Sequence, residues 1–221
     1  MYSIYLFIWI ITSHLLIYEW YGKYDKYFGF LKSQDEETIL NAFIDHSKID
    51  SEELLILSKM VHVAVNYESG DLDDMYEQIC KVNDDNTKVF ETITDHIVQS
   101  NFDFQKQSDL LRLQQRIDSI SSLIIATSKR IIISKNINAE IPVEMYPYFK
   151  KLCDLVVASH HTFLTALQKF LTSRKEVIKL VHQAEEEENL IFQERVKLTD
   201  SLMKFSFILD TLPLKAAIDP R

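Results

Sequence analysis

Residues that form tight turns are almost absent from this chain. Only three glycines and four prolines occur among its 221 residues, and these two residue types make most of the turns that join neighbouring strands. A sheet-rich fold is therefore close to excluded. The glycines Gly22, Gly29 and Gly70 also stand far apart, so the chain has no glycine-rich phosphate-binding loop and no nucleophile elbow.

Apolar residues instead recur at steps of three and four, which is the spacing of one face of an α-helix. The pattern predicts helices over about 34–69, 71–99, 103–134, 147–172 and 173–209, with Pro213 as the latest end of the last one. The first of them is either one helix or two joined near residues 50–51. Long helices with short connections predict an all-α fold, namely an antiparallel bundle of long helices. The clearest seam consists of Leu110, Leu113, Ile117, Ile120, Ile124 and Ile131.

The charge and the cysteine content of the chain indicate which partners, cysteine sites and cellular location to expect. The chain has 33 acidic and 24 basic residues and a net charge of −9, and no basic stripe interleaved with aromatic residues is present, so we expect no nucleic-acid partner. Cys80 and Cys153 are too few for a disulfide framework or a four-cysteine zinc site. A cytoplasmic location fits this content.

The first 30 residues differ from the bundle predicted for 31–221. Residues 4–17 are apolar on every face, apart from Ser13 and His14 near the middle, but they are shorter than the roughly 20 residues that cross a bilayer. Three interpretations stay open: a weak membrane anchor, a helix packed on the bundle, or residues that precede the true start of the protein.

The chain contains a candidate internal repeat. An offset of 102 residues places Phe43 on Met145, Leu54 on Val156 and Val61 on Phe163. The alternative is coincidence, because any two helical patterns agree in part when one is moved along the other. Under this offset the counterpart of 103–134 would extend beyond Arg221, so we expect the second repeat to be truncated at its last helix. The uncovered surface would be filled by the N-terminal segment or by a second subunit, and we expect a homo-oligomer.

Two stretches of consecutive polar residues, which we call the polar collars, interrupt the apolar pattern. They span residues 83–88 and 185–189, and a run of this length goes around a whole helix turn, so each collar must direct a polar group towards the core.

Carboxylate and amide oxygens at the same helix level could bind one metal ion. The offset superposes Asn83 and Thr87 on Glu185 and Asn189, which are spaced i, i+4 and share a helix face. Asp118, next to the seam of the third helix, is a further candidate ligand. The alternatives are that the collars are exposed helix faces and that Asp118 is exposed or paired with an arginine. We assign no catalytic residue, because no nucleophile and base can be paired from the sequence.

Four stretches of the chain resemble the PhoU-related family, in the branch of phosphate-transport regulators. They are FIDHS (43–47), ICKVNDDNTKVFETI (79–93), SDLLRLQQRIDSI (108–120) and VHQAEEEENLIF (181–192). The resemblance implies two similar three-helix repeats, ExxxD motifs that bind iron or zinc, and a role in regulating phosphate uptake. By position, the motif pairs fall on Asn83 with Thr87, Glu185 with Asn189, and Asp118 with Ser122. Only Glu185 and Asp118 keep a carboxylate, so this chain departs from the family's multinuclear site and would hold at most a single divalent or ferric ion.

The resemblance implies a non-enzymatic regulator that acts on a phosphate transporter at the cytoplasmic face. The alternative function is a structural or protein-interaction helical module that has lost metal binding, with or without a membrane tether through residues 4–17.

Overall fold

A computed structural model describes residues 34–66, 70–137, 142–170 and 172–218, without the side chains of residues 66 and 205–218. These residues form five α-helices, and no strand occurs among them, so the predicted all-α class is confirmed. The N-terminal segment 1–30 lies outside the described residues. The helices are α1 (Gln34–Asn66), α2 (Leu72–Gln99), α3 (Phe104–Asn136), α4 (Tyr146–Lys169) and α5 (Arg174–Ile218), with a short 3-10 turn at Val143–Met145 before α4.

The helix starts follow local sequence signals. The Asp71 carboxylate accepts hydrogen bonds of 3.1 Å from the backbone N–H groups of Asp73 and Asp74, and Asp103 accepts one of 2.9 Å from Lys106 at the start of α3. Both are N-cap interactions that satisfy donors left free at a helix start. Near residues 50–51, α1 continues as a single helix.

The predicted end of α5 was wrong, because the helix runs past Pro213 to Ile218. Proline lacks one backbone donor, and in the last two turns of a long helix only one hydrogen bond is removed while the neighbouring bonds continue the helix.

Helix α1 lies at the centre of the packing. It packs against α2, α3 and α4, while α3 also packs against α2, and α5 packs chiefly against α4. All six predicted seam residues of α3 are buried. The helices join one core whose largest fully buried side chains include Phe43, Met60, Ile79, Ile117 and Leu152.

Contacts between the helices fix their directions. Ser47 and His62 of α1 lie beside His160 and Asp154 of α4, in that order, so these two helices are antiparallel. Helices α4 and α5 are antiparallel as well, because Thr162 contacts Gln183 whereas Lys151 contacts Glu194. The start of α1 and the start of α5 therefore lie at the same end of the bundle. Within the described ranges, no helix is both long and apolar enough to cross a membrane.

Candidate functional site

The five residues predicted as metal ligands lie on three helices. Asn83 and Thr87 are on α2, Asp118 is on α3, and Glu185 and Asn189 are on α5. Asn83 and Asp118 are half-buried, and the other three are exposed. In the part of the chain that the structure describes, no three His, Cys, Asp or Glu side chains form a group that could hold a metal ion. Metal binding at these five residues stays a prediction.

Two of these side chains form hydrogen bonds within their own helices. Thr87 Oγ1 donates to the carbonyl of Asn83 at 3.3 Å, and Asn189 Nδ2 donates to the carbonyl of Glu185 at 3.0 Å. The Glu185 carboxylate lies 3.3 Å from Nδ1 of His182 on the surface of α5. Each of these contacts joins residues three or four apart on one helix, as is usual for exposed helical side chains.

The first polar collar directs a polar group into the core, as predicted, but the residue is Asn86. Its side chain is 1% exposed. In the second collar, Glu187 is half-buried, and its Oε1 accepts hydrogen bonds from Thr162 at 3.0 Å and from Gln183 at 2.8 Å. The two collars therefore differ: an amide lies inside the core at the first, and a carboxylate lies at its edge at the second.

Asn86 belongs to a buried polar cluster where four helices meet. Three of the residues from α1, namely His46, Asp50 and Glu53, are spaced i, i+4, i+7 and so share the helix face that points into the core. The polar cluster consists of His46, Ser47, Asp50 and Glu53 of α1, Asn86 of α2, Ser121 of α3 and His160 of α4, each at most 2% exposed.

The Asp50 carboxyl group joins three helices. Its Oδ1 accepts hydrogen bonds from Asn86 Nδ2 at 2.8 Å and from Ser121 Oγ at 2.7 Å, and the Asn86 amide also contacts Ser121 Oγ. In contrast, Asp50 Oδ2 and both oxygens of Glu53 have no hydrogen-bond partner among the described residues. A buried carboxylate without a donor or a cation is strongly unfavourable, so some form of neutralisation is required.

Protons supply this neutralisation. Burial raises the pKa of Asp50 well above its usual value, against the effect of its two hydrogen bonds. Burial also raises the pKa of Glu53 to about 7, and the charge of nearby Asp118 acts in the same direction. Desolvation penalises the charged form of a carboxyl group. Burial therefore favours the protonated form of Asp50, and Glu53 titrates near neutrality.

The two histidines of the cluster are neutral. His160 Nε2 lies 2.9 Å from the carbonyl oxygen of Ser47, and because a carbonyl can only accept, this ring nitrogen carries the proton and donates. Burial lowers the pKa of both His160 and His46 to about 4. His46 Nε2 is 3.9 Å from Asp50 Oδ1, which is beyond hydrogen-bonding distance.

This cluster was not predicted from the sequence, although the sequence contains a signal for it. Between Ile44 and Leu54 the apolar seam of α1 has a gap, and Ser47 and Asp50 occupy the positions where apolar residues would be expected. Polar residues at core spacing inside a long helix indicate a buried polar group. The carboxyl groups of Asp50 and Glu53 are 0% exposed, so a substrate cannot reach them in this conformation. Comparison of the chain with protein-family models, curated proteins and solved structures finds no match.

Proposed function

We propose that this chain is a PhoU-like, non-enzymatic regulator of phosphate uptake that acts on a phosphate transporter at the cytoplasmic face. The observation that carries the proposal is that one pair of helix starts agrees with the repeat. Leu72 and Arg174, the first residues of α2 and α5, are 102 residues apart, which equals the offset proposed between the two halves of the sequence. The starts of α1 and α4, Gln34 and Tyr146, are 112 residues apart, so the first helix of the second half begins later than the offset predicts.

Burial and packing add support for two similar halves. The superposed pairs Phe43 with Met145 and Leu54 with Val156 are buried at both positions. Helices α1 and α4, the first of each proposed half, pack against each other in antiparallel orientation. This arrangement is expected of two similar units related by an approximate twofold axis.

The non-enzymatic part of the proposal is supported by the position of the ionisable groups. Asp50, Glu53, His46 and His160 are at most 2% exposed, and a general acid or base must reach its substrate directly or through one water molecule. Buried groups that gain or lose a proton can change the stability or the conformation of a helical bundle. A regulator acts through a conformational change of this kind and does not need to catalyse a reaction.

Phosphate uptake in cells tests the proposal. We expect deletion of the gene to change the rate of radiolabelled phosphate uptake, and re-expression of the chain to restore it. Leu113→Asp, which places a charge in the core of α3, should fail to restore uptake, whereas Phe104→Ser, at a residue that is 84% exposed, should restore it. Unchanged uptake after deletion would contradict the proposal.

The second candidate function, a protein-interaction module without metal, is favoured by exposed apolar residues on α5. Phe192 and Met203 are 48% and 56% exposed, and exposed apolar surface commonly marks a binding site. Metal analysis of the purified chain separates the candidates. Bound iron or another metal ion that is lost in the Glu185→Gln and Asp118→Asn variants supports the first, and a metal-free protein that captures a partner unrelated to phosphate supports the second.

A further inference from the structure

Helix α5 carries an exposed apolar stripe, which we define as Phe192, Val196 and Met203. The three side chains are 41–56% exposed. Their spacings of 4 and 7 residues place them on one helix face. The exposed polar residues His182, Glu185 and Asn189 lie on the same face nearer the start of α5. The opposite face, which includes Ala184, Ile191 and Leu198, is buried. The stripe therefore faces away from the side of α5 that joins the core.

The corresponding face of α2 is covered by α3. The offset of 102 residues superposes Phe90 and Thr94 on Phe192 and Val196, and Gln114 of α3 donates hydrogen bonds to the Phe90 carbonyl and, at 2.8 Å, to Thr94 Oγ1. No described helix follows α5 to take the place that α3 has beside α2. The stripe thus occupies the position at which the first half of the chain has a third helix.

We propose that residues 4–17 of the same chain bind to this stripe as a helix antiparallel to α5. These residues are apolar apart from Thr12, Ser13 and His14, and as a helix they would be about 21 Å long, against about 17 Å from Phe192 to Met203. They can therefore cover the whole stripe.

The direction of the bundle helices places the two elements together. The start of α1 lies at the same end as the start of α5, because α1 and α5 are both antiparallel to α4. Residues 18–33 connect the apolar segment to this end, so the segment can run along α5 from Met203 towards Phe192. Helix α3 lies on α2 in the same antiparallel sense, since Gln114 is near Phe90 and Lys135 is near Asp73. The inference uses the repeat correspondence and does not depend on the regulatory role.

Tryptophan fluorescence tests the proposal in the full chain. The two tryptophans, Trp9 and Trp20, both lie in the N-terminal segment, so Trp20→Phe leaves Trp9 as the sole reporter of its surroundings. We expect Trp9 emission at short wavelength with weak quenching by acrylamide. The double substitution Phe192→Ser with Val196→Ser should shift the emission to longer wavelength and increase the quenching constant severalfold.

Phe104→Ser is the matched control, because it removes another exposed phenylalanine away from the stripe, and it should leave Trp9 unchanged. Three outcomes would overturn the proposal. Trp9 exposed in both proteins would show that the segment does not bind the stripe. Shielding that increases with protein concentration would assign the stripe to a second copy. Shielding that requires anionic phospholipid vesicles would assign the segment to a membrane. Circular dichroism of each variant establishes that the bundle is intact.

Discussion

The first half of the molecule, α1–α3, and the second half, α4 with α5, accommodate a buried glutamate in different ways. Each half buries a glutamate: Glu53 is 0% exposed and Glu194 is 5% exposed. Glu53 lies under three helices without a hydrogen-bond partner, and its pKa is raised by burial to about 7. Glu194 forms ion pairs with Lys151 at 2.8 Å and Lys197 at 2.7 Å, and hydrogen bonds from these lysines lower its pKa.

The difference follows from how near each glutamate lies to side chains at the surface. A lysine can bury its aliphatic chain and keep its ammonium group in water only where the surface is near, and both lysines near Glu194 are more than half exposed. Glu53 is 0% exposed, so a lysine could not pair with it and keep its ammonium group in water, and burial favours the protonated form of Glu53.

The largest expected effect concerns the superposed residues Ile79 and Val181. Ile79 is 0% exposed and Val181 is half-buried. We expect Ile79→Ala to lower the free energy of unfolding by about 2 to 5 kcal/mol, because it leaves a cavity, and Val181→Ala to lower it by about 1 kcal/mol. Urea denaturation measures both. Equal losses of unfolding free energy would mean that Val181 is packed as tightly as Ile79.

Asn86 and Glu188, which the offset also superposes, give the second contrast. Asn86→Ala removes a hydrogen bond to buried Asp50 and should cost about 1 to 3 kcal/mol. Glu188→Ala should change stability by about 0.5 kcal/mol or less, since this side chain lies at the edge of the core. Thermal unfolding of both variants at one pH gives the comparison. A loss on Glu188→Ala as large as that on Asn86→Ala would contradict the different roles of the two collars.

The third prediction uses the two buried glutamates. A carboxyl group whose pKa is raised on folding contributes stability that is complete below its unfolded pKa and is lost as the pH rises through its folded pKa. For Glu53 this range extends from 4.5 to about 7. We expect wild-type protein to lose about 1.4 kcal/mol relative to Glu53→Gln between about pH 6 and about pH 8.5.

Glu194→Gln is the control for this experiment. Its pKa is lowered in the folded state, so its contribution is present above the unfolded pKa and is lost only as the pH falls through the folded pKa. The difference between Glu194→Gln and wild type should therefore stay constant over the same pH range. Denaturant unfolding at several pH values measures both differences, and a constant difference for Glu53→Gln would show that Glu53 is not protonated in the fold.

The smallest expected effect is one of chemical reactivity. Burial raises the pKa of the Cys153 thiol in α4 to about 11, whereas Cys80 in α2 is half-buried. Because the thiolate is the reactive form, iodoacetamide at neutral pH should modify Cys80 before Cys153, and mass spectrometry identifies the site. Both should react at similar rates in denaturant. Faster modification of Cys153 in the native protein would show that α4 is more open than its packing implies.

Several features of the fold could be predicted from the sequence because they depend on local order. The all-α class follows from the scarcity of turn residues and from apolar spacing, and the starts of α2 and α3 follow from the capping residues Asp71 and Asp103. The run of polar residues at 83–88 also predicted that a polar residue of α2 points inward. The metal-ligand predictions had no comparable local basis, because a ligand set requires side chains from several helices to converge.

The identity and depth of the buried polar groups were decided only by the tertiary structure. Periodicity defines the centre of a buried face, but the width of that face depends on how many helices pack around it. Helix α1 contacts three others, so its buried face is wide enough to include His46, Asp50 and Glu53 together. Asp50 receives its hydrogen bonds from Asn86 and Ser121, which lie 36 and 71 residues away in the chain. The sequence by itself determined that the chain forms long amphipathic helices, and the packing of those helices determined which carboxyl groups lose water and therefore bind protons.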